Sequence, residues 1–86
     1  MKDIRWSQLK SERLKKTRGV SFEEIISSEL IAVKTHPKKP DQNIMLFELK
    51  GYIWIVPYVE ENDYIFLKTL YPSRKCTKLY RRGELK

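Results

Sequence analysis

Residues 43–71, "NIMLFELKGYIWIVPYVEENDYIFLKTLY", limit this chain to few folds. They read as three strands, "NIMLFEL", "YIWIVPYV" and "YIFLKTLY", rich in β-branched and aromatic residues and separated only by Lys50-Gly51 and "EEND". Connections this short predict an antiparallel meander. Pairing across "EEND" sets Val59 opposite Tyr64, with Ile53, Ile55, Pro57, Val59, Tyr64, Phe66, Lys68 and Leu70 on one face. The other face carries Tyr52, Trp54, Val56, Tyr58, Ile65, Leu67, Thr69 and Tyr71. Neither face is polar, so both are expected to be at least partly covered, one by helices. The other is left as a concave surface rich in Tyr and Trp or as a seat for the C-terminal segment. Pro57 lacks a backbone donor and signals a bulge or a local break in the ladder.

Upstream of the meander the period changes. After a short strand at residues 2–6, residues 7–18 form a helix with Leu9, Arg13 and Leu14 near helical spacing, ended by Gly19. "GVSFEEII" restarts at once: Ser21 and Glu24 form a capping box, and Val20 and Ile25 the hydrophobic staple around it. A second helix over 22–28 and a short strand over 30–34 follow, then the Pro-bounded loop "THPKKPDQ". At the other end, Pro72-Ser73 marks the step from the last strand into a C-terminal helix. The expected fold is α+β: two N-terminal helices packed on an antiparallel sheet of about four strands, with a short C-terminal helix.

Eighty-six residues make one domain with one small core. With 41% hydrophobic and 34% charged residues the chain reads as globular rather than disordered. No apolar run nears the roughly 20 residues of a membrane span. "MKDIRWSQLKSERLKK" has no apolar signal region, and the lone Cys76 reads as a small helix residue, so the expectation is a cytoplasmic protein.

The net charge is +7 and unevenly placed. Residues 1–20 carry a net +5, residues 68–86 a net +6, and residues 21–67 a net −4. Two basic ends that meet in space form a positive patch suited to a polyanion or an acidic protein partner.

Three glycines provide no phosphate loop and no dinucleotide fingerprint, and one His with one Cys makes no zinc site, so neither a cofactor nor a metal is expected. What remains is a chemistry of cations and aromatics. RNA cleaves itself when its 2′-OH is deprotonated and the charge on the attacked phosphate is stabilised. Arg and Lys serve the second need. A His, Tyr, Glu or Lys serves the first, and aromatic faces stack unpaired bases. Arg74 and Lys75, placed where a helix begins, stand against its macrodipole, as an anion site requires. An acidic residue of a partner explains the same placement. Glu60, Glu61 and Asp63 read as turn residues.

Two segments resemble BrnT-family toxins. "IRWSQLKSERLKKTRGVSFEEII" follows the family's opening, Trp-Asp-x-x-Lys, then Asn, then Lys-His-Gly-Val-Ser-Phe-Glu-Glu, at Trp6, Lys10, Gly19, Val20, Ser21, Phe22, Glu23 and Glu24. "YPSRKCTKLYRR" resembles its closing Ser-Ala-Arg-x-Ala-Thr, with Arg74 on the arginine and Thr77 on the threonine. The departures are Ser7 for the Asp, Leu14 for the Asn, Thr17 and Arg18 for Lys-His, and Thr69 for an arginine on the last strand. The resemblance implies a RelE-like fold and a toxin of a type II toxin–antitoxin pair that cleaves mRNA without a metal. It also implies a cognate antitoxin, BrnA-like, with a ribbon-helix-helix DNA-binding part. On this reading Arg74 stabilises the phosphorane, with Lys68, Tyr58 and His36 as further catalytic candidates. Lys10, Arg18, Lys75, Lys78 and Trp54 are the RNA-binding candidates. The alternatives are a RelE/ParE-like toxin that binds a protein target such as gyrase, and a non-catalytic RNA- or partner-binding module.

Overall fold

The computed structural model describes residues 3–36 and 38–85. In chain order they form β1 (Asp3–Arg5), α1 (Gln8–Arg18), α2 (Phe22–Ile26), β2 (Glu29–Thr35), β3 (Asn43–Leu49), β4 (Tyr52–Glu60), β5 (Tyr64–Leu67), β6 (Tyr71–Pro72) and α3 (Arg74–Arg81). The sheet order is β1-β5-β4-β3-β2, with β6 also on β4. The fold is α+β, as expected, with three helices on a sheet of mixed direction. Four antiparallel strands were too few: β1 joins the edge in parallel with β5, Asp3 opposite Tyr64 and Arg5 opposite Phe66. The short strand at the chain start was expected, but its place in the sheet was not, because its partner is distant in sequence.

The helix ends follow from local chemistry. Ser7 caps α1 by accepting from Lys10 N, and Gly19, at φ 80°, closes it with its N–H on Lys15 O. Both arms of the capping box are present, Glu24 N to Ser21 Oγ at 3.2 Å and Ser21 N to Glu24 Oε1 at 3.0 Å. Val20 and Ile25 lie in one core cluster, as the staple requires. Leu9 is a correction: it is 75% exposed, whereas Ser11 is fully buried.

Two cores lie on the two faces of the sheet. On one, Leu14, Val20, Phe22 and Ile25 of the N-terminal helical region meet Met45, Phe47, Trp54, Val56, Tyr58, Leu67 and Leu70. On the other, Cys76, Leu79, Tyr80 and Leu85 cover Ile44, Leu46, Ile53 and Ile55. Each fully buried aliphatic or aromatic side chain contributes about 1.5–3 kcal/mol relative to exposure.

The β4–β5 register is Val59 opposite Phe66, two residues from the expected pairing with Tyr64. Glu61 N donates to Tyr64 O, which closes the hairpin tightly over Asn62 and Asp63 and fixes the shift. A shift of two leaves the faces unchanged. The last strand, however, breaks. Lys68 N donates to Pro57 O at 2.8 Å, but Pro57 has no N–H to return the bond, so the ladder ends there. Pairing resumes with Tyr71 opposite Ile55, one residue out of step. Leu70 thereby changes face and becomes fully buried under the N-terminal helices.

Candidate functional site

The C-terminal helix is bolted to β4 by its first turn. Ser73 N donates to Ile53 O at 2.8 Å, and Ser73 Oγ accepts from Cys76 N at 3.1 Å. Thr77, 2% exposed, donates its hydroxyl to Ser73 O at 2.6 Å and accepts from Ile53 N at 2.9 Å. The segment from Ser73 to Thr77 therefore works here as a backbone clamp, which leaves Arg74 and Lys75 exposed. The other end is held by Arg81, whose guanidinium donates to Gly51 O at 3.3 Å.

On the outer side of α3, Arg74, Lys75, Lys78 and Arg82, with Leu79, line an open groove of about 400 Å³. The first turn has no acidic residue. Among the described residues the ion pairs are Arg5 with Asp3 and Lys15 with Glu24, so the four groove cations meet no carboxylate. Cations in a first turn oppose the macrodipole by about 0.3–1 kcal/mol each. A bound anion removes that cost, because it meets both the cations and the helix N–H groups.

Three predicted residues, Arg74, Lys75 and Lys78, are brought together here. Lys68 stays on the α3 side, since the strand breaks only after it, and its ammonium lies 5.8 Å from the Phe66 ring centroid. Arg18 donates to Leu70 O, the carbonyl exposed by the break, so it supports the segment leading into α3. Lys10 is on α1, which packs through Leu14 on the opposite face of the sheet, and so it does not join Arg74.

Three further predictions are displaced by burial or distance. Trp54 is 9% exposed and packed among core side chains, so it offers little surface to a base. Tyr58 is 6% exposed, and burial, then the charge of Glu60, raises its pKa against a weaker opposing hydrogen bond with Asn43. A tyrosine so placed is a poor proton acceptor. His36 follows β2, where Thr35 pairs with Asn43 and Asn43 with Tyr58. That end is five β4 residues from the Ile53 end where α3 starts, about 17 Å by strand rise. Its Nδ1 accepts from Lys38 N and Lys39 N at 3.1 and 3.2 Å, which makes it a loop organiser.

A second groove, of about 330 Å³, is lined by Val20, Leu49, Lys50, Tyr52, Trp54 and Pro72. It is mostly apolar, with a single cation, Lys50, and so does not gather the charge that α3 does. Among the described residues no group of His, Cys, Asp or Glu is gathered to hold a metal, and no helix is long and apolar enough to cross a membrane. Sequence reasoning passed over Arg82, one helical turn beyond Lys78, because it lies past the expected site motif. In comparisons with known proteins, no family model, no characterised protein and no solved structure matches this chain.

Proposed function

We propose that this chain is a toxin of the BrnT type, with a RelE-like arrangement, that acts on RNA by gripping its backbone with α3. The observation that carries the reading is the set of four cations, with no carboxylate partner among the described residues, on a helix whose first turn is clamped to the sheet. Arg74 is assigned the phosphate that receives the 2′-OH, where its charge and the helix N-terminus both favour a pentacoordinate dianion. Lys75, Lys78 and Arg82 hold neighbouring phosphates, and Lys68 approaches from the strand on the same side. Tyr58 and His36 have no part in this arrangement. The same cations suit an acidic segment of a BrnA-like antitoxin, which then blocks the site by occupying it.

The test is incubation of the purified chain with total RNA in EDTA, read by primer extension, beside growth after induction. Discrete cleavage that Arg74→Ala lowers at least about tenfold, the scale of one lost charge-assisted contact, supports the reading. Intact RNA together with no RNA binding sinks it. Binding without cleavage reduces it to the non-catalytic alternative.

A further inference from the structure

We infer that the open part of the sheet beside α3 is a stacking shelf for the unpaired bases of a single-stranded RNA. The inference rests on the reading of α3 as a phosphate grip and adds the form of RNA that the grip accepts.

Side chains alternate along β4, so Ile53, Ile55, Pro57 and Val59 share the α3 face. Val59 is opposite Phe66 and Ile55 opposite Tyr71, which brings both rings to that face, with Tyr64 two residues before Phe66. The parallel pairs add Asp3 beside Tyr64 and Arg5 beside Phe66. Ile65 and Leu67, in between, pack on the opposite core, which confirms the alternation.

The C-terminal cluster covers this face as far as Ile44 and its strand partner Pro57, which is buried. Beyond it Val59, Tyr64 and Phe66 are half-buried, as is Tyr71 next to α3. The row from Tyr64 to Tyr71 leads toward Ser73 and Arg74 and spans about 20 Å by strand rise. Exposed cations alternate with the rings. The Arg5 guanidinium carbon lies 4.4 Å from the Tyr64 ring centroid, and Lys68 stands over Phe66. A guanidinium already held over a ring adds to the surface on which a base can stack. On β1, β4 and β5 the acidic residue of this face is Asp3, exposed and 3.8 Å from Arg5, a contact that a phosphate can replace.

Rings and cations interleaved in one row fit a strand whose bases are free, since a duplex hides its base faces and offers only backbone. The strand then lies with phosphates toward α3 and Lys68 and bases on Tyr64, Phe66 and Tyr71.

The experiment is fluorescence anisotropy of the full chain with three labelled probes of about 12 nucleotides. These are a 2′-O-methyl single strand, the same strand annealed to its complement, and an abasic strand of equal charge. The 2′-O-methyl group removes the nucleophile and keeps the probe intact. The expected result is roughly tenfold tighter binding of the base-bearing single strand than of the abasic one. Tyr64→Leu and Phe66→Leu, with folding checked by thermal melt, lower binding of the single strand and leave the abasic strand unchanged. Arg5→Gln, at an exposed position, weakens the single strand more than the abasic strand, which loses only the charge contact, without disturbing the core. Arg74→Ala weakens all three probes. Equal binding of base-bearing and abasic strands, or tighter binding of the duplex, overturns the shelf and leaves the α3 reading standing. No binding of any probe overturns both.

Discussion

Ser11 sits on α1 with none of its surface exposed, and its hydroxyl makes two bonds at once. It donates to Glu23 Oε1 at 2.6 Å and accepts from Phe22 N at 3.0 Å, which ties α1 to the start of α2. Ser11→Ala leaves a buried N–H without a partner, a loss of about 1–3 kcal/mol. For a domain of this size each kcal/mol lowers Tm by roughly 4–8 °C, readable in a thermal melt. Nothing in the sequence announces this bond, because a serine in the middle of a helix usually faces solvent or its own backbone. The neighbouring carboxylates add a pH dependence. Glu23 is held below the ordinary value of 4.5, first by the Ser11 hydroxyl and then by its own backbone N–H. Glu24 is held below it too, first by the hydrogen bond from Lys15 and then by Ser21 N. Folded values below unfolded ones give stability that is full above the unfolded pKa and lost as pH falls through the folded values. Urea melts are expected to be flat with pH down to about 5 and to weaken below pH 4, with a shallower acid limb in Glu24→Gln.

At the scale of elements, the β3–β4 hairpin carries a correctable strain. Lys50 has φ 57° and Gly51 φ 78°, both in the left-handed region that a two-residue hairpin turn demands. Glycine adopts it freely; lysine does not. Lys50→Asn is expected to raise stability by about 0.5–1 kcal/mol, seen as a higher urea midpoint at unchanged slope. This hairpin, both helix caps and the step at Pro72-Ser73 were legible because each is set by residues within four or five positions. The break after Lys68 was legible only in half. Pro57 announced an interruption, but its position depends on which residue faces it, and that follows from the closure over Asn62 and Asp63. The alternation also placed Tyr64 and Phe66 correctly on one face. It gave no means to tell which face the N-terminal helices cover, and so the face of Trp54 and Tyr58 was left as a concave surface or a seat for the C-terminal segment, when it is the core under the N-terminal helices.

At the scale of the whole molecule, the two basic ends meet, but only in part. β1 lies against β5, which brings Arg5 to the face that α3 covers, and Arg18, at the end of α1, reaches the Leu70 carbonyl in the segment leading to α3. α1, with Lys10, remains on the far side of the sheet. Charge by sequence segment predicts attraction to polyanions and cannot say how the cations divide between two faces. For single-stranded RNA, each neutralised phosphate contributes about −0.7 to the slope of log K against log salt, so the four α3 cations predict a slope near −3. Lys78→Ala reduces its magnitude by about 0.7, measurable by anisotropy titrations across salt concentrations. The parallel pair of β1 with β5 also governs timing. The first strand finds its partner only when Tyr64 to Phe66 exist, and the Arg18–Leu70 bond joins residues 52 apart. Contacts of such sequence separation impose loop-closure entropy before they return any stability, which slows folding. A ribosome making this chain therefore cannot seat β1 until residues 64–66 have emerged. The α3 helix follows in sequence the strands that orient it, β4 and β6.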